Sequence, residues 1–320
     1  VASALPPPKS PILRAAYRFE DGLICVVFAV MTLFPLLEVL SRKLRGEGIQ
    51  GSASVVQHLT LWAAFLGALL CTRERAHLSL STAELLPEGL PRQAARVFTH
   101  TVAAGVTALF AYAAYQLVVA DSANNQPVFW NVPSWWVELI MPIALGFMAL
   151  RLCFLASDAW VGRAIALVGV GLAFSIALLE GSAESLRIPG AILILVALLA
   201  GAPIYVAMSG IAMLLFFADG TPIASVPTET LRLVISPTLP AIPLLTAAGY
   251  ILGEGGSATR LVNVTRAWFG WFPGGLAIVV CVVCALFTAF TGGSGVTILA
   301  LGGLVLPVLV NEKYPEGFSL

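Results

Sequence analysis

The sequence predicts an all-α integral membrane protein, a polytopic helical bundle that carries one re-entrant hairpin and one broken helix. Three observations lead there. The 320 residues are 59% hydrophobic and only 11% charged, with mean hydropathy +0.94, whereas soluble domains are about a quarter charged. Six apolar runs approach or exceed the ~20 residues that cross ~30 Å of hydrocarbon. Two later apolar stretches are interrupted, one by prolines and one by glycines. Formal net charge is zero. With no polybasic face, a nucleic-acid partner is excluded, and the lipid bilayer is the expected surrounding.

The start, Val1 to Pro11, is rich in Pro and Ser and reads as a short disordered tail rather than a secretory signal. Spanning helices are expected at Leu23–Leu40, Val55–Cys71, Val97–Ala120, Trp135–Ala156 and Trp160–Leu179. A sixth run, Ile188–Phe217, is longer than one crossing needs and contains Gly201-Ala202-Pro203. Proline removes a backbone donor and clashes with the preceding turn, so either one bent helix or two short ones is expected there.

Loop charge gives the orientation. Arg73, Arg75, Arg92 and Arg96 sit in or at the edge of the loop after the second run, while the loop from Asp121 to Pro133 has no Lys or Arg. Positive loops stay inside, so the N-terminus is expected in the cytoplasm. Arg42, Lys43 and Arg45 after the first run balance Lys9, Arg14 and Arg18 before it, and the later loops decide. Trp130, Trp135 and Trp136 fall where an outer aromatic belt belongs. Arg151 and Arg163 are the only Lys or Arg inside the six runs, near cytoplasmic ends where they can snorkel.

All five cysteines lie in or at the ends of apolar runs. Cys281 and Cys284 have metal-site spacing, but no second pair and no nearby His accompanies them. They read as small helix-packing residues.

After Phe217 the pattern changes. Pro237, Pro240 and Pro243 crowd seven residues of the stretch Ile235–Gly255. A simple spanning helix does not carry three prolines so close; a re-entrant hairpin buried in protein does. Gly255–Gly275 mixes Arg260 and Arg266 with Trp268, Phe269 and Trp271, which suits an interfacial amphipathic helix. Then two apolar segments, Leu276–Phe290 and Val296–Val310, flank Thr291-Gly292-Gly293-Ser294-Gly295. As one straight helix the pair would run ~52 Å, more than a bilayer core, so an interruption is expected. Glycines permit the unwinding. Unwinding frees carbonyls, and Thr291, Ser294 and Thr297 add hydroxyl oxygens. These are hard, neutral ligands for a small hard cation, placed as broken helices place ion sites in transporters. Close packing of small residues is the alternative. Ser236 and Thr238, at the expected hairpin tip, are candidates to share the cation.

The same glycines invite an enzymatic reading. Gly292-Gly293-Ser294-Gly295 matches the G-x-S-G pattern of rhomboid intramembrane proteases. A serine nucleophile needs a base, and rhomboids place it on a later helix. His58, His77 and His100 all lie far upstream, so no enzyme is expected. No Gly-x-x-x-x-Gly-Lys loop is present either, so ATP is not the energy source.

Taken together, these residues resemble the permease subunits of tripartite ATP-independent periplasmic (TRAP) transporters. Leu199–Pro203, Leu239–Ile251, Phe287–Gly295 and Leu306–Phe318 are similar to the large subunit, and Leu61–Leu80 and Met141–Leu152 to the small one. The resemblance implies a fused chain: residues 1–157 a small-subunit-like four-helix domain, 158–187 a connecting membrane helix, and 188–320 the N-terminal half of a large-subunit-like transport domain. It implies the first half of an inverted-repeat, elevator-type transporter of the bacterial inner membrane, cut from a fused permease roughly twice as long. It implies a periplasmic binding protein as partner, organic acid anions as substrate, and sodium at Ser236, Thr238, Thr291, Gly292, Gly293, Ser294, Gly295 and Thr297. No cofactor beyond that coupling ion is implied. The residue that holds the anion is expected in the rest of the large subunit.

Two departures stand out. Where small subunits commonly carry an acidic residue before the tryptophan of the second span, this chain has Ser54, with Gln57 and His58 a turn later. Where large subunits are usually nearer Ser-Gly-Ser, it has Thr291-Gly292-Gly293-Ser294. A membrane scaffold or assembly subunit without a transport site is the second reading; it expects Thr291 and Ser294 to tolerate Ala or Val.

Overall fold

The computed structural model describes residues 11–80, 87, 89–124, 126–157, 159–178 and 183–236, the helix 275–291, and isolated positions between 251 and 317. Two compact units are present, Val1–Ser236 and Pro237–Leu320.

The first unit opens with α1, Pro11–Arg45. Proline suits a first helical turn, whose N–H groups have no intrahelical partner. The apolar run Leu23–Leu40 lies wholly inside α1, and its charged flanks continue the helix. Val27 and Met31, one turn apart, are buried, while Phe19, Val26, Leu33, Leu36 and Leu40 are exposed. One narrow stripe of α1 therefore meets protein and the rest is left for lipid.

Helix α2, Ser52–Glu74, packs on that stripe. It starts after Gly51 (φ +82°) and stops at Arg75, whose φ of +55° is left-handed. There Ala76 N donates to Cys71 O at 2.9 Å and Arg75 N to Thr72 O at 3.4 Å, a C-cap usually built on glycine.

Helix α3, Leu90–Asn124, is the central post and packs on α5, α6, α8 and α9 among others. Most of its buried face is small, Ala103, Ala104, Gly105, Thr107, Ala113 and Ala114, with Phe110, Leu117 and Val118 filling the rest. Small residues let backbones approach where lipid offers no hydrophobic drive. The contact with α6, Trp160–Leu178, shows how close: a Cβ built on Gly169 would lie 2.2 Å from Thr101 Cγ2, and one on Gly105 3.3 Å from the Ala173 Cβ.

Between α3 and the fourth membrane segment, an antiparallel ribbon of β1, Pro127–Phe129, and β2, Val132–Pro133, turns through Trp130 and Asn131, both at positive φ. The sequence reading did not anticipate it. Trp130 Nε1 donates to Gln50 O at 3.1 Å, and its ring meets Phe34 edge-on. Ser54 donates to Val128 O of the ribbon at 3.3 Å. The fourth run is α4, Ser134–Glu138, followed directly by α5, Ile140–Leu155.

The sixth run resolves into two helices. α7, Ala183–Leu199, and α8, Ile204–Ala218, are separated by a turn in which Gly201 has φ +100°. They fold back on each other. A Cβ on Gly190 would meet Leu214 at 2.9 Å, and one on Gly210 would meet Ile194 at 3.1 Å. Arg187 and Asp219, at the open end, are 4.0 Å apart. At 1.5 Å per residue these arms are only ~22–26 Å long, so the run reverses instead of crossing once.

A short helix missed in the sequence, α9, Ser225–Val234, buries Val226, Leu231 and Val234 against the core. In the second unit, α10, Gly275–Thr291, buries Val279 and Val283 and exposes Ile278, Val282 and Leu286.

Candidate functional site

The expected cation site falls largely outside the described residues. Thr238, Gly292, Gly293, Ser294, Gly295 and Thr297 lie there, and of Thr291 only its backbone, the final residue of α10, is described. The expected re-entrant hairpin lies there too, apart from Ile235, Ser236, Ile251 and Gly255. Ser236 follows α9, and its amide donates to Leu233 O at 3.1 Å.

The described residues hold two polar clusters that periodicity did not reveal. The first is ionic. Arg73 donates from Nη2 to Asp21 Oδ1 at 2.7 Å, from Nε to Glu74 Oε1 at 2.9 Å, and from Nη1 to Glu20 Oε2 at 3.5 Å. Arg151 donates to the second oxygen of Glu20 and, at 3.0 Å, to Leu69 O. The Tyr17 ring lies 4.8 Å from the Arg73 guanidinium carbon. Arg151, expected to snorkel, thus turns into the bundle. A shared carboxylate and a helix carbonyl satisfy it better than a reach to the interface. Arg163 is likewise held, its Nε donating to Ser157 O at 3.0 Å.

The second cluster surrounds a cavity of about 150 Å³ at the end of the bundle where α2 stops, α3 begins and α7 turns into α8. Arg75, His77, Arg96 and His100 contribute to its wall, with Gly201 and Pro203 from the α7–α8 turn. Backbone bonds set that turn in place. Ile204 N donates to Leu78 O at 2.9 Å, and Ser79 bridges Pro203. The Thr72 hydroxyl spends its proton on Ala68 O at 2.9 Å, so His77 Nε2, 2.7 Å away, carries the proton and donates to Thr72 Oγ1. Burial holds the His77 pKa below its ordinary value, which favours a neutral ring. His100 donates Nδ1–H to Arg96 O at 2.9 Å, and the Arg96 guanidinium donates twice to Leu155 O. These residues come from four separate segments, so only tertiary structure collects them; the shared signal in the sequence was the basic loop.

Near the opposite end of α3, Glu138 is 2% exposed, and among the described residues its Oε2 has no hydrogen-bond partner. Among the described residues no group of three His, Cys, Asp or Glu could hold a metal ion.

Two family models match the chain in series. One, described as tripartite ATP-independent periplasmic transporters, DctQ component, matches residues 31–161. The other, of the same transporters and described as DctM component, matches residues 191–320. The isethionate TRAP transporter permease protein DctMQ of Oleidesulfovibrio alaskensis is 30% identical over 195 residues, 59% of this chain and 31% of that protein. The C4-dicarboxylate TRAP transporter large permease protein DctM of Rhodobacter capsulatus is 34% identical over 132 residues, 40% of this chain and 29% of that protein. The ectoine TRAP transporter large permease protein TeaC of Halomonas elongata is 36% identical over 83 residues, 26% of this chain and 19% of that protein. The chain spans less than a third of the length of these curated relatives.

Proposed function

Since the chain belongs to the tripartite ATP-independent periplasmic transporter permeases, with a DctQ component followed by a DctM component, we propose that it forms part of a sodium-coupled importer of organic acid anions. It is a multi-pass membrane protein of a binding-protein-dependent transporter. The observation that carries the proposal is the order of the two components, DctQ then DctM, on one polypeptide. Relatives named for C4-dicarboxylate and isethionate support an anionic substrate.

In this reading a periplasmic binding protein delivers the anion to the outer face, at the end of the bundle that holds the β1–β2 ribbon and its tryptophans. Sodium is bound by backbone carbonyls of Gly292, Gly293 and Gly295 and the hydroxyls of Thr291, Ser294 and Thr297, with Ser236 and Thr238 as further candidate ligands. Carbonyls and hydroxyls replace the ion's hydration shell without adding charge to the membrane interior. The transport part then moves against a fixed scaffold. Residues 1–157 supply that scaffold, 158–187 connect, and 188–320 begin the moving part. Support for a rigid scaffold comes from α3, whose small residues lock against α5 and α6. The N-terminus faces the cytoplasm of a bacterium and the membrane is its inner one.

The test is uptake of a labelled C4-dicarboxylate or isethionate into proteoliposomes that contain the full-length permease. Uptake is expected only with both the binding protein and an inward sodium gradient. Uptake that ignores sodium, or that needs ATP, overturns the proposal.

A further inference from the structure

The basic cavity at the α2, α3 and α7–α8 junction belongs to no step of that transport cycle. Its chamber of about 150 Å³ has room for a phosphate-sized group. A second chamber of about 440 Å³ adjoins it, sharing Arg96, Thr99, His100 and Gly201 and adding Arg92. Three arginines therefore line one continuous space, and among the described residues no Asp or Glu lines either chamber. The described residues give the Arg75 guanidinium no ion pair or hydrogen-bond partner, and the residue lines the chamber from the left-handed end of α2. His100 commits Nδ1–H to Arg96 O, so its Nε2 becomes a donor to an anion only when the ring takes up a second proton. Thr99, 5% exposed, lies in the wall with a hydroxyl that donates to Arg96 O.

We propose that this cavity binds a phosphate group, held by Arg75, with Arg96 and His100 beside it in the wall. Guanidinium groups match phosphate oxygens in geometry and charge. Basic pockets between membrane helices on the cytoplasmic side take lipid headgroups, and the cavity lies on the side that the loop charges place inside. Its walls come from both components, the α2–α3 connection on one side and the turn before α8 on the other. A bound phosphate therefore clamps the two components together at their backbone junction, Leu78 with Ile204.

The experiment uses the full-length permease in nanodiscs. Three probes are compared: phosphatidylglycerol at a fixed mole fraction in phosphatidylcholine, phosphatidylcholine alone, and inorganic phosphate against chloride at equal ionic strength. Thermal unfolding and native mass spectrometry read the binding. Phosphatidylglycerol is expected to raise the unfolding temperature. Arg75→Gln and Arg75→Gln with His100→Gln are expected to weaken that effect roughly tenfold or more in concentration, the scale of a lost charge-assisted hydrogen bond. Glu229→Gln, at an exposed pair, is expected to leave it unchanged. A rise with inorganic phosphate in phosphatidylcholine alone identifies free phosphate as a sufficient ligand; a rise with phosphatidylglycerol only identifies the lipid, and either, weakened in the Arg75 variants, supports the site. Wild-type binding in Arg75→Gln and in the double variant, or no response to either phosphatidylglycerol or inorganic phosphate, overturns it. Transport has no part in this readout, so a failed sodium dependence would leave the result standing.

Discussion

Ile204 N donates to Leu78 O at 2.9 Å, a backbone bond between residues 126 positions apart that joins the DctQ part of the chain to the DctM part. Gly201 and Ala202 spend their amides on the end of α7 and proline at 203 has none, so Ile204 is the next donor, and Leu78 lies just beyond the left-handed cap at Arg75. The junction is thus made by local stop signals at two helix ends that meet.

Close packing of α3 on α6 makes Gly169 intolerant of a side chain. Gly169→Ala is expected to cost about 1–3 kcal/mol of stability, because the new methyl meets Thr101 Cγ2. Thr101→Ala removes that atom, so the double variant should recover most of the loss. Equal unfolding temperatures for wild type and Gly169→Ala in detergent would show that the helices do not meet here.

Glu20 bridges two arginines inside the bundle. Glu20→Ala is expected to cost on the order of 1–3 kcal/mol, because Arg151 and Arg73 each lose a carboxylate in a half-buried setting. The exposed pair Glu229 and Arg232 provides the contrast: Glu229→Ala should cost less than about 0.5 kcal/mol. Chemical unfolding of the two variants side by side decides it, and similar losses would contradict the clustered role of Glu20.

Stability should fall in mild acid through His77. Its pKa is held below the ordinary 6.5 by burial, so near that pH the unfolded chain binds more protons than the folded one. This stability is fully present above the ordinary pKa and is lost as pH falls through the lowered one. Unfolding temperature between about pH 7.5 and about pH 5.5 should drop less in His77→Asn than in wild type. An identical slope in the variant would place His77 in solvent.

Topology follows from loop charge. A cysteine at Ser122 should react with an impermeant maleimide from the periplasm, and one at Gln93 only after permeabilisation. Both residues are exposed ends of α3. Reversed labelling would invert the proposed orientation of every helix.

Apolar length alone located the first five spans, because a helix in lipid must satisfy its own backbone and can do so only by being long and apolar. The end of α1 at Arg45 was not visible that way, since charged residues continue a helix as readily as they end a hydrophobic run. Gly201 and Pro203 announced a break in the sixth run, but whether it bends or reverses depends on Gly190 meeting Leu214 and Gly210 meeting Ile194, contacts no local pattern encodes. The β1–β2 ribbon turns through Trp130 and Asn131 at positive φ without a glycine, so its usual sequence mark is missing. The basic cavity was visible only as loop arginines, because its walls come from four segments. The glycine break at 291–295 remains an argument from composition and length, as Gly292–Gly295 lie outside the described residues.

The central claim is that this break binds the coupling ion, and the sodium dependence of uptake tests it most directly. The measurement is the sodium concentration for half-maximal uptake by the full-length permease with its binding protein, in wild type, Ser294→Ala and Thr291→Val. A lost ligand contact of ~1–2 kcal/mol should raise that concentration about five- to thirtyfold while expression holds. Gly293→Val, by contrast, should impair folding as well as uptake, since a β-branched residue resists unusual backbone angles. Unchanged sodium dependence in both Ser294→Ala and Thr291→Val would contradict the claim and leave the glycines a packing role alone.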